Sequence, residues 1–114
     1  MSREQLEVIG VDYQEGLERF LGKDELYQRF LKRFSEDKSY SILVESYEAN
    51  DYEAMFKAVH TLKGVSGNLA IKPLYEKSSA LVETLRNKQY DNIDSLFEDV
   101  RNQYNEVLNV LAIL

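Results

Sequence analysis

Apolar residues recur at three- and four-residue intervals along most of the chain, and strict alternation of apolar and polar positions is nowhere sustained, so the pattern predicts helices and no sheet. The firmest stripe runs from Asp51 to about Ala70. There Tyr52, Met55, Phe56, Val59, Leu62, Ser66 and Leu69 fall on one side of a helix turning by about 100° per residue. Upstream, Ser2 to Ile9 predicts a short first helix ended by Gly10. Asp12 is expected to cap a second helix, with Glu15 completing a capping-box spacing and Gly22 closing it after Leu17, Phe20 and Leu21. Asp24 to Ser35 aligns Leu26, Tyr27, Phe30, Leu31 and Phe34, and Tyr40 to Ala49 aligns Ile42, Leu43, Ser46 and Tyr47.

Asp51 is the expected cap of the stripe helix, which must stop before Pro73 because proline disfavours helical geometry in the residue preceding it. Leu74, Lys77, Ser78, Leu81, Val82 and Leu85 continue the pattern to about Asn87. Asp91 opens a last helix with Ile93, Leu96, Phe97, Val100, Tyr104, Val107, Leu108, Leu111 and Ile113 or Leu114 inward. Long helices on short links pack as antiparallel neighbours. The expected architecture is therefore all-α and a single domain over residues 1–114: an antiparallel up-and-down four-helix bundle over 23–114, with short N-terminal capping helices over 1–22.

Composition narrows the function classes. At 114 residues the chain can bury a core without disulfides or metal, and it has no cysteine, which suits a reducing cytoplasm. A charge of −6 and a pI of about 4.8 argue against nucleic acid as a partner. The N-terminus lacks an apolar signal core and no apolar run approaches the roughly 20 residues of a membrane span, so a soluble cytoplasmic protein is expected. One histidine, no cysteine and scattered carboxylates offer no metal-ligand set, and no cofactor motif is present. The eight tyrosines recur at core or boundary helical positions and read as packing. Between Asn50 and Ser79, three acids face four bases, a balance of +1 in a segment of an otherwise acidic chain. A charge run is usually a solvated face, but this one coincides with the only histidine.

That histidine, His60, falls off the apolar stripe, toward solvent. Lys57, Gly64 and Gly67 lie on its side, and Lys63 lies between the faces. Glycine inside a helix costs about 1 kcal/mol against alanine, so two need a reason. Close approach of a neighbouring helix suits Gly67. Clearance for something approaching the imidazole suits Gly64. A lone histidine is most often an ordinary surface residue, but this setting points to phosphoryl transfer. A neutral imidazole is a good nucleophile near pH 7, and transfer depends on positioning and on positive charge at the phosphoryl oxygens, which Lys63 at i+3 can supply. Lys57 at i−3 adds to the field or is simply a solvated lysine.

His60-Thr61-Leu62-Lys63-Gly64, followed by Ser66-Gly67-Asn68-Leu69-Ala70, resembles the phosphorylation motif of histidine-containing phosphotransfer (HPt) domains of multistep phosphorelays. The likeness extends to Gly10–Phe20, to Asp24-Glu25-Leu26-Tyr27, and to Leu74 with Ala80-Leu81-Val82-Glu83. The resemblance implies a non-enzymatic phosphocarrier. His60 would accept a phosphoryl group from one receiver domain's aspartyl phosphate and pass it to another receiver's aspartate, with Lys63 stabilising the group and Gly64 giving access. Lys57, Gly67 and Ser79 would be accessory, and any magnesium would belong to the receiver. Docking would use a partly apolar surface, with Leu17, Phe20 or Tyr27 exposed and Ala58 and Thr61 beside the site. Many members place a glutamine on the next helix facing the histidine. The comparable positions here are Ser78, Ser79 and Val82.

Other readings fit less well. A histidine-kinase dimerisation domain would normally have an acid after the histidine, where Thr61 stands, and the 54 residues that follow His60 contain no glycine-rich nucleotide loop. Gly64-Val65-Ser66-Gly67 as a nucleic-acid-gripping loop conflicts with its helical setting in an acidic chain. The runner-up is a phosphorylation-independent binding module that docks a receiver or kinase. A monomeric, free-standing carrier is expected, with partners in a hybrid histidine kinase or a response regulator.

Overall fold

The computed structural model describes residues 3–114 and consists of helices joined by short turns. They are α1 (Arg3–Val8), α2 (Tyr13–Arg19), α3 (Asp24–Arg33), α4 (Ser39–Glu48), α5 (Tyr52–Asn68), α6 (Lys72–Arg86) and α7 (Ile93–Ala112). The expected start at Ser2 lies outside the described residues. A 3₁₀ turn, Phe34–Glu36, ends the third helix two residues before the expected Ser35. Val11 and Ile71 form an isolated antiparallel bridge, the only β pairing among the described residues.

Capping chemistry sets the starts. Asp12 accepts from the Glu15 N–H at 3.0 Å and Asp51 from the Ala54 N–H at 3.1 Å. Only half of the expected capping box forms: the Asp12 N–H donates to the Ala70 carbonyl at 2.9 Å, and the Glu15 carboxylate instead meets Lys72 Nζ at 2.7 Å. Four of the helix ends share one device. At the end of α5 the Ile71 N–H reaches the Ser66 carbonyl and the Ala70 N–H the Gly67 carbonyl, with Ala70 left-handed at φ 58°. Leu21, Asn50 and Lys88 adopt the same conformation after α2, α4 and α6. Gly22 was expected to close α2, but Leu21 takes the left-handed position first and Gly22 follows at φ 76°.

Helices α4 to α7 make the antiparallel bundle. Arg86 lies over Phe56 across the α5–α6 seam and Tyr52 stacks on Tyr90 in the connection after α6, while Tyr40 stacks on Tyr104 and Tyr47 on Phe97 between α4 and α7. Leu43, Met55, Val59, Leu62, Leu74, Leu81, Val82 and Val100 are fully buried between them. Each such side chain contributes about 1.5–3 kcal/mol.

The N-terminal helices cover the α5–α6 junction. The Tyr27 hydroxyl donates to the Leu69 carbonyl at 2.6 Å, and its ring occupies the space over Gly16, where a Cβ would lie 2.1 Å from it. Tyr27 is thus buried, contrary to the expectation that it is exposed for docking. The expectation failed because the space that receives the ring is made by a glycine on another helix. Burial, reinforced by the nearby Tyr13, Asp12 and Glu15, pushes the Tyr27 hydroxyl pKa well above its ordinary value. Among the described residues no helix is long and apolar enough to cross a membrane.

Candidate functional site

Val59 and Leu62, both fully buried, fix the rotation of α5, and that rotation points His60 outward. The Phe56 ring, one turn earlier, lies 5.8 Å from the imidazole between centroids. On the following turn Gly64 is exposed, and a Cβ built there would meet nothing within 4 Å. Lys63 is half-buried, with Nζ 5.8 Å from the centroid of the Tyr75 ring on α6. Ser66 is buried and donates to the Leu62 and Lys63 carbonyls, so a hydroxyl sits within the packed stripe without an unmet bond.

Together His60, Lys63, Gly64, Gly67 and Asn68 line a shallow depression of about 270 Å³, completed by Tyr75 and by Arg19 from α2. Gly67 has the neighbour that its sequence position suggested. A Cβ there would come within 3.0 Å of the Tyr75 ring.

Two accessory candidates are not brought to the depression. Lys57 points along the exposed face of α5 and pairs with Glu53 at 3.6 Å. Ser79 donates its hydroxyl to the Tyr75 carbonyl at 2.7 Å, a bond back along its own helix. Thr61 is exposed beside His60 and donates to the Lys57 carbonyl at 3.1 Å. Ala58, expected at the surface next to the site, is buried in the core instead, because it lies on the side of α5 that faces α4. Of the three positions compared above with a glutamine facing the histidine, Ser78 and Val82 are fully buried, and the Ser78 hydroxyl has no hydrogen-bond partner among the described residues. The register that sets Tyr52 against Tyr90, Phe56 against Arg86 and Gly67 against Tyr75 leaves the apolar Val82 level with His60.

Arg19 and Tyr75 reach the site without having been foreseen. Arg19 lies three helices before His60, and nothing local in the sequence marks it. Its Nε lies 3.4 Å from the Glu15 carboxylate, which Lys72 also holds. Lys72 first, and Arg19 after it, keep the Glu15 carboxyl below its usual range. Tyr75 had one usable signal, the glycine at 67 that had to face something. Beyond Arg19 and Asn68 the surface opens into a larger hollow of about 600 Å³ with Phe20, Phe30, Phe34, Val65 and Leu69 on its walls. Phe20 and Leu17 are half-buried, so the apolar surface expected near the site is supplied by Phe20 and Phe30 rather than by Tyr27.

Chemically, the arrangement is an accessible imidazole with a cation one turn away and clear space over the backbone at Gly64 beside them. Among the described residues no group of three or more histidine, cysteine, aspartate or glutamate side chains could hold a metal ion. The family model of the Hpt domain matches residues 14–110, most of the chain, and the protein belongs to that family. Hpt domains are helical phosphocarrier modules of phosphorelays that interact with receiver domains. Comparisons with curated proteins and with solved structures give no match.

Proposed function

We propose that the chain acts as one module, residues 1–114, and relays a phosphoryl group through His60 between the aspartates of two receiver domains. In the forward step the imidazole nitrogen that carries no proton attacks phosphorus. The N–P bond forms as the bond to the aspartyl oxygen breaks, the carboxylate leaves, and the other ring nitrogen keeps its proton. Return to a second aspartate reverses these changes. Lys63 offers positive charge to the phosphoryl oxygens, Arg19 lies within the same depression as a second cation, and Gly64 leaves room for the partner.

The observation that carries this reading is the outward His60 beside the vacant space over Gly64, on a chain of this family. The test is incubation with a phosphorylated receiver. An acid-labile, base-stable label on the wild type that is absent from His60→Ala is expected. Receiver binding by the wild type without any label would overturn the relay and assign the chain to phosphorylation-independent docking.

A further inference from the structure

Lysines on this surface differ in what holds them. Lys57 pairs with Glu53 and Lys72 with Glu15, whereas Lys63 Nζ faces the Tyr75 ring and has no carboxylate within 4 Å among the described residues. A carboxylate would cancel the charge that incoming phosphoryl oxygens need. An aromatic face attracts an ammonium through its quadrupole and leaves the net charge intact. At 5.8 Å from the centroid, Lys63 is inside the range of that attraction. Tyr75 is 38% exposed, which would leave its ring free to wander were it not seated on the backbone of α5. That seat is closest with no side chain at residue 67: a Cβ would approach Cδ1 and Cε1 of Tyr75 to 3.0 and 3.1 Å, and the ring would have to give by a few tenths of an ångström.

We propose that Tyr75 is a positioning residue for transfer at His60. Its ring holds the Lys63 ammonium, charged and unpaired, over the depression, and Gly67 is the glycine that lets the ring lie there. This rests on His60 being the phosphoryl acceptor.

The experiment measures transfer rates from a phosphorylated receiver to the wild type and to Tyr75→Phe, Tyr75→Leu and Gly67→Ala, with Tyr75→Leu also made in a Lys63→Ala background. It adds the NMR shift of the Lys63 ε-methylene in each unphosphorylated protein. Tyr75→Leu is expected to slow transfer by about three- to tenfold and Tyr75→Phe to keep the wild-type rate. Gly67→Ala should slow transfer by about twofold while its melting temperature holds or rises, since alanine favours the helix. In the Lys63→Ala background, loss of the ring should cost nothing more. The ε-methylene should be shifted upfield in the wild type and relaxed in Tyr75→Leu.

A wild-type rate in Tyr75→Leu, an equal loss with and without Lys63, or a phenylalanine as poor as leucine would overturn the proposal. So would an unshifted ε-methylene, whatever the transfer assay gives. A shifted ε-methylene in a wild type that accepts no label would instead remove the acceptor reading, and the positioning role with it.

Discussion

Between α4 and α7, Tyr40 lies flat on Tyr104 and Tyr47 on Phe97, at centroid separations of 3.8 and 3.9 Å. Near the site, across α5 and α6, Tyr75 has no ring partner among the described residues and rests on a glycine and beside an ammonium. The same residue type therefore closes one seam of the bundle and furnishes the surface at another. In the first, aromatic area is matched by aromatic area and water is expelled, which makes for stability. In the second, the area is left half-solvated and the neighbouring positions carry an exposed imidazole, a cation and bare backbone, the arrangement that the proposed transfer needs.

Four measurements can break or sharpen this contrast. His60→Gln should abolish phosphoryl acceptance while shifting stability by no more than about 0.5 kcal/mol, since the side chain is exposed; a large loss of stability would mean that the open seam is structural too. Phe97→Ala should do the reverse. Removing a buried ring that stacks on Tyr47 should cost about 3–5 kcal/mol in denaturant titration, with transfer preserved in whatever fraction remains folded. Gly64→Gln should leave helicity intact and slow transfer about tenfold, or about 1.4 kcal/mol of barrier. An unchanged rate would dismiss the clearance argument.

The smallest effect is alkaline. Burial holds Tyr13, Tyr27 and Tyr104 protonated above their ordinary range, with the Asp24 hydrogen bond adding to the effect at Tyr13. An unfolded chain would release these protons near pH 10, before the folded one does. The folded state then binds more protons, so stability should be level up to about pH 10 and fall above it. Tyr27→Phe should flatten that fall, as seen in denaturation midpoints from pH 8 to 11.

Most of the fold was legible because helical periodicity and capping are local. The α5 stripe, the caps at Asp12 and Asp51 and the break before Pro73 all depend on residues a few positions apart. That His60, Lys63 and Gly64 line one depression was legible for the same reason, since one helix carries all three. What escaped was contributed by other elements. Tyr27 falls on the stripe of its own helix and was expected to be exposed for docking only through the resemblance, but Gly16 opens a slot for it, and Glu15 reads as half of a capping box, but Lys72 on α6 outcompetes the backbone for it. Arg19 and Tyr75 reach the depression from α2 and α6 only after the chain has folded back on itself.

The left-handed turns have a practical outcome of their own. Leu21, Ala70 and Lys88 hold a backbone conformation that side-chain-bearing residues resist by about 1–2 kcal/mol. Each is strain kept in reserve, and part of it can be released by replacing the residue with glycine, up to about 1 kcal/mol per turn after the added freedom of the denatured chain. A background relaxed in this way would give a wider margin for replacements in the buried stripe of α5, whose costs the open surface around the imidazole does not share.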